Sequence, residues 1–225
     1  MKREELRALL REAPYDAMVL TSEISRRYAT GFHSTAGAVY LSADQAVFYT
    51  DFRYVEAARA AVSGFEVREI GSGRSYSAVI NELIGQDGVK KIALEDKQMT
   101  YAEYMSWSSA LHAAAMRLED GVERLRITKE DDEVGRIAAA QRIAERALEE
   151  VLNDIRIGVT EKEVAARLTY LMLHYGAENM SFDPIVVSGA NSSKPHGVPT
   201  EKAIAAGDFV TMDFGCIVDG YCSDM

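Results

Sequence analysis

Strand-like and helix-like segments alternate along residues 1–127, and this alternation limits the fold more than any other feature of the chain. Residues 4–11 read as a helix. The apolar runs 17–20, 38–41 and 46–49 read as strands, the last two as a hairpin around Asp44-Gln45. Helices are expected at 52–62 and 76–84, and strands at 65–70, 91–95 and 123–127. Thr100 and Glu103 form a capping box that opens a helix reaching about residue 118. Strands interleaved with helices of this length predict an α/β (α+β) architecture around a largely mixed sheet.

The charge run Thr128-Lys129-Glu130-Asp131-Asp132-Glu133 marks the expected boundary between a domain over 1–127 and a second over 128–225. Its acidic residues suit the first turn of a helix, where the backbone dipole favours negative charge. That helix is expected to reach about residue 155, because Val134, Ile137, Ala138, Ala144, Ala147, Leu148, Val151 and Ile155 recur at three- and four-residue steps. Thr160 and Glu163 form a second capping box, and Gly176 suits the end of the helix it opens. Residues 181–225 read as strands and turns.

With 35 acidic against 25 basic residues the formal net charge is −10, which argues against nucleic acid and anionic membranes as partners. No apolar run approaches the ~20 residues of a membrane span. The charged start, Met1-Lys2-Arg3-Glu4-Glu5, has no signal-peptide core, so a cytoplasmic location is expected. Cys216 and Cys222 lack metal-site spacing and are expected to be buried, reduced thiols.

Residues 210–225 carry the chemistry. Val210-Thr211-Met212 and Tyr221-Cys222-Ser223 read as the arms of a hairpin, with a turn signal at Asp219-Gly220. A two-residue loop at Val218-Asp219 sets Asp213 directly opposite Asp224, and a loop at Asp219-Gly220 makes them diagonal neighbours. Either register leaves both carboxylates on one face. Such a pair repels itself unless a proton or a cation lies between, and a divalent metal pair is one explanation. The other is a turn aspartate and a solvated strand end. A loop histidine, His196, sits in the turn-rich stretch Asn191-Ser192-Ser193-Lys194-Pro195-His196-Gly197.

Several short stretches together resemble one family, the proline-specific metallopeptidases of the aminopeptidase P and prolidase type. They are Ile157-Gly158-Val159-Thr160-Glu161, Ser181-Phe182-Asp183-Pro184, Val186-Val187-Ser188-Gly189, Pro195-His196-Gly197, Gly207-Asp208 and the Asp213–Asp224 segment. In the first half Tyr28-Ala29-Thr30-Gly31-Phe32 and Thr50-Asp51-Phe52-Arg53-Tyr54 resemble the family's amino-terminal domain. The resemblance implies a creatinase-like amino-terminal domain followed by part of a pita-bread catalytic domain. It implies Asp213 and Asp224 as metal ligands, and His196 as a catalytic and substrate-binding residue. Two divalent ions are implied, Mn²⁺ first, with Co²⁺ or Zn²⁺ as alternatives. The implied substrate is a peptide or dipeptide with proline in second position, and the implied assembly is a homodimer.

The family's remaining ligands, one histidine and two glutamates, come later in its sequence than Met225, so the two carboxylates alone are expected to give little or no activity. A fragment of a longer protein is the simplest expectation, with natural truncation or a split protein as alternatives. The rival reading is a binding or scaffold relative without catalysis. A creatinase-like, metal-free hydrolase is disfavoured, because that branch has no use for the aspartate pair. His33, His112 and His174 read as surface or packing residues.

Overall fold

The first unit is built in three layers because its central strands are mainly apolar and buried at consecutive positions, not at alternate ones. A computed structural model describes residues 2–225, which divide into two units on either side of the Thr128–Lys129 bond. In order, the first unit contains α1 (Lys2–Glu12), β1 (Ala17–Leu20), α2 (Glu23–Thr30), β2 (Ala38–Ser42), β3 (Ala46–Thr50) and α3 (Val55–Ala61). It continues with β4 (Glu66–Glu69), α4 (Tyr76–Asp87), β5 (Lys91–Leu94), α5 (Tyr101–Ala110), β6 (Ala114–Arg117) and α6 (Gly121–Ile127). The sheet order is β4-β3-β2-β1-β5-β6. The β1–β2 and β2–β3 pairs are antiparallel, and the β3–β4, β1–β5 and β5–β6 pairs are parallel.

Alternate strand residues go to opposite faces. Met18, Leu20, Val39, Leu41 and Phe48 pack with Leu6, Leu10, Ala29, Ala58 and Val122, which belong to α1, α2, α3 and α6. Ala17, Val19, Ala38, Tyr40 and Ile92 pack with Val79, Ile80, Leu83 and Ile84 of α4. Helices on both faces explain why these strands carry no polar side.

Two expectations fail at the end of this unit. The helix opened by Thr100 stops at Ala110, and 114–117 form the edge strand β6 instead of continuing the helix. The alanine-rich sequence favours helix, but Asn81 grips the chain at the break, donating to the Ala110 carbonyl at 2.8 Å and accepting from the His112 N–H at 2.8 Å. Pairing with β5 then outweighs propensity. His112 consequently lies past the helix. Residues 123–127 fall in a helix, not a strand, because Val122 and Leu125 share the face turned to the core.

The second unit holds α7 (Asp131–Val151), α8 (Glu161–His174), β7 (Asn179–Met180), β8 (Ile185–Ser188), β9 (Val210–Asp213), β10 (Cys216–Val218) and β11 (Tyr221–Cys222). Ala140, Ala144, Ala147 and Val151 form a buried stripe on α7 that receives Val164, Leu168, Leu171 and Met172 of α8. Capping boxes at Thr100–Glu103 and Thr160–Glu163 are both present. No helix among the described residues is long and apolar enough to cross a membrane.

Candidate metal centre

The carboxylate face is set by a two-residue turn. Asp219 and Gly220 both adopt positive φ, 47° and 75°, as a tight hairpin turn with right-handed strand twist requires. Val218 pairs with Tyr221 and Ile217 with Cys222. The ladder runs on through Ser223 N–H to Cys216 O at 2.9 Å and a reciprocal Phe214–Met225 pair at 3.0 Å. The arms are therefore 214–218 and 221–225. This register sets Asp224 opposite Gly215 and makes Asp213 its diagonal neighbour.

Side-chain alternation then divides the hairpin. Phe214 and Cys216 are buried, the Cys216 thiol lies 3.3 Å from the Ala140 carbonyl, and Tyr221 donates to Glu133 on α7 at 2.8 Å. That face belongs to the helical core. Asp213, Gly215, Ile217, Cys222 and Asp224 share the opposite face. Cys222 is exposed, contrary to the expectation of two buried thiols, because its register places it on this outer side. Gly215 is required here, since a Cβ would lie 2.0 Å from the Ser223 carbonyl oxygen. Gly215→Ala is expected to cost about 2 kcal/mol through overpacking and to speed exchange of the Phe214 and Met225 amides roughly thirtyfold. Unchanged exchange in that variant would show that the strands absorb the methyl group without separating.

The expected partner of Val210–Met212 is not the second hairpin arm. These residues pair with β8, in the register Ile185↔Asp213, Val186↔Met212, Val187↔Thr211 and Ser188↔Val210. The reason is burial: Val186, Val210 and Met212 turn one face toward the α7–α8 core. Ile185, Val187, Thr211 and Asp213 share the other. Gly197 lies on that face, close enough that a Cβ would stand 2.7 Å from the Val187 Cγ1. The segment carrying His196 thus folds over the side of the ribbon that carries Asp213. His196 itself is exposed, in a turn closed by Gly197 N–H to Lys194 O at 3.1 Å.

Asp213 is half-buried and Asp224 exposed. Among the described residues no hydrogen bond or ion pair engages either carboxylate, so no protein cation neutralises the pair. Two acceptor-only groups on one face, without a donor, fit a share of a divalent-cation site. Among the described residues they are not joined by a third potential ligand. The other histidines stand apart: His33 pairs with Glu23 at 3.1 Å, and His174 stacks on Tyr170 at 5.7 Å between ring centroids.

One residue of consequence lies in a stretch that carries the family resemblance, but the sequence assigned it no role. Glu161 reads there as an ordinary acidic first-turn residue, yet it is fully buried. Its Oε1 accepts from Ser188 N–H at 2.7 Å, Ser188 Oγ at 3.0 Å and Asn191 Nδ2 at 3.1 Å. Its Oε2 accepts from Thr200 N–H at 3.0 Å and Thr200 Oγ1 at 2.6 Å. Burial pushes its pKa up, but the donors of Thr200, Asn191 and Ser188 outweigh that and hold it down at about 2. Only the donor-rich composition of 188–200 hints that an acceptor is needed nearby.

Residues 2–128 match the creatinase/prolidase N-terminal domain, and residues 135–225 match metallopeptidase family M24. The chain belongs to the creatinase/prolidase family of metallopeptidases. Among relatives of this family, the uncharacterized peptidase YqhT of Bacillus subtilis (strain 168) is 40% identical over 226 residues, covering 100% of this chain and 64% of its own. The Xaa-Pro dipeptidase from Bacillus anthracis superposes with a TM-score of 0.94 at 41% identity, over 99% of this chain and 62% of that one. The X-Pro aminopeptidase from Thermotoga maritima MSB8 gives 0.89 at 33% identity, over 96% and 63%. The chain thus spans less than two thirds of the length of these relatives, and its fold is a creatinase-type amino-terminal domain followed by part of the M24 domain.

Proposed function

We propose that this chain serves a metal-dependent exopeptidase that cleaves the Xaa-Pro bond at the amino end of peptides or dipeptides. The observation that carries the reading is the shared outer face of Asp213 and Asp224, without a protein cation, beneath the loop of His196. Similarity to the Xaa-Pro dipeptidase from Bacillus anthracis and the X-Pro aminopeptidase from Thermotoga maritima supports the choice of bond. Asp213 and Asp224 would hold divalent ions, Mn²⁺ first, from one extended chain and its cross-strand neighbour. When bound, such ions supply a water nucleophile at neutral pH and offset the charge that develops on the scissile carbonyl. His196 would orient that carbonyl by a hydrogen bond, and an exposed imidazole on a loop can present either a donor or an acceptor. Two carboxylates leave most of a metal's coordination open, so the 225-residue chain alone is expected to turn over little or no substrate.

The test is hydrolysis of Ala-Pro and Ala-Pro-Ala, against Ala-Ala and Ala-Ala-Ala, by the protein isolated from its source with Mn²⁺. Cleavage confined to the proline peptides is expected, with losses of at least ~100-fold in Asp213→Asn and Asp224→Asn. His196→Ala is expected to lose about 10²-fold. Cleavage indifferent to proline would refute the bond assignment, and Mn²⁺-independent cleavage would refute the metal.

A further inference from the structure

We propose that Glu161 is a positioning residue for His196, clasping the two ends of the loop that carries it. The inference rests on the reading of His196 as a site residue. One carboxylate oxygen takes both donors of Ser188 and the amide of Asn191 at the loop's entrance, and the other takes both donors of Thr200 at its exit. Lys202 reinforces the entrance, reaching Ser188 Oγ at 2.9 Å and Asp208 at 2.6 Å. Between these ends the chain has one short 3-10 turn, Gly189–Ser193, and no strand. A segment of that length and composition has many conformations to lose, and joining its ends removes a large share of them.

Helix α8 has no need of this arrangement. Thr160 accepts from Glu163 N–H, and the Glu163 carboxylate returns to Thr160 N–H, so the first turn is already capped. Nor does β8 need it, because four register pairs with β9 already place Ser188. What Glu161 adds is a fixed span between Ser188 and Thr200. With that span set, Gly197 seats on Val187 and its neighbour His196 is held above the outer face. A buried apolar side chain could fill the same space but would leave five donors unanswered, with only Lys202 and the backbone bonds of residues 200 and 202 to α8 still holding the loop ends.

The experiment follows the His196 Cε1–H resonance of the 225-residue chain, assigned by its loss in His196→Ala. Glu161→Gln is compared with wild type. As a milder second variant, Thr200→Val removes only the hydroxyl donor at the exit, keeps the backbone N–H of residue 200 on Oε2 and leaves Ser188 held. The expected result is a shift of the His196 resonance toward its random-coil position and at least tenfold faster amide exchange across 191–198. Both changes should be smaller in Thr200→Val, with exchange at Ala144 and Leu168 preserved in both variants. Mn²⁺ titration adds a separate readout. Paramagnetic broadening of His196 should fall in Glu161→Gln while that of the Asp213 and Asp224 amides persists. An unmoved His196 resonance and unchanged loop exchange in Glu161→Gln would overturn the proposal, as would His196 broadening that the substitution does not alter. If Mn²⁺ broadens nothing in wild type, the functional reading fails, and the resonance and exchange data still decide the role of Glu161.

Discussion

Between pH 5 and pH 2 the second unit is expected to lose up to about 3 kcal/mol more stability in the wild-type chain than in the Glu161→Gln variant. Glu161 has its carboxyl held down to about 2 from an ordinary 4.5. A carboxyl whose folded pKa is depressed contributes its full stabilisation above the unfolded value. The contribution therefore declines as the pH falls from about 4.5 toward 2, as protons reach the unfolded chain first. Glutamine has no such titration, so its stability curve is flatter over the same window, although lower at neutral pH. Glu163 and Asp208 also have lowered pKa values, from hydrogen bonds to Thr160 and to Lys202, but both remain in the variant and cancel in the comparison. Urea unfolding at pH 5, 4, 3 and 2, followed at methyl resonances of Leu168 and Val186, measures the difference. Trp107, the chain's one tryptophan, lies in the first unit and provides an internal control by fluorescence. Parallel curves for the two proteins would mean that Glu161 is not the buried, multiply bonded carboxylate described.

Mn²⁺ added to the 225-residue chain is expected to bind weakly, on the order of millimolar, and to lose at least tenfold in affinity with each of Asp213→Asn and Asp224→Asn. The reason is charge and ligand count. Each substitution removes one of two anionic acceptors from a face that no protein cation neutralises, while the amide keeps the shape of the side chain. Broadening of the Asp213 and Asp224 amides reports the binding, and Asp208→Asn serves as a control for non-specific association. Asp208 is held by Lys202 and has no place on that face. Equal broadening in all three variants would remove the metal from the interpretation.

Much of this was legible in the sequence, and the failures are instructive. The buried central strands and both capping boxes announce themselves through composition and spacing, because they depend on residues close in the chain. Residues 114–117 do not, since an alanine-rich segment has no reason to be a strand until β5 offers its edge and Asn81 stops the helix before it. The turn at Asp219-Gly220 was readable and correctly left the two aspartates on one face. The partner of Val210–Asp213 was not readable, because choosing β8 over the second hairpin arm depends on which face meets α7 and α8. Glu161 is the extreme case. The capping-box spacing marks Glu163 as a surface cap, but nothing local marks Glu161 as buried, and only the three-dimensional return of Ser188, Asn191 and Thr200 makes it an anchor.

The hairpin tip has a consequence for interpreting damage to such a protein. Asp219 and Gly220 are exposed, and neither is one of the proposed ligands. Yet their positive φ values keep the loop at two residues, and the loop length keeps the odd-numbered and even-numbered residues of the arms sorted. A one-residue slip of the second arm would turn Asp224 inward toward Phe214 and Cys216 and bring its neighbours outward. A substitution at the tip that disfavours left-handed backbone, such as Gly220→Val, could thus leave every acidic side chain in the sequence intact and still dismantle the arrangement they depend on. A screen that scores only the ligand positions would pass that allele as sound.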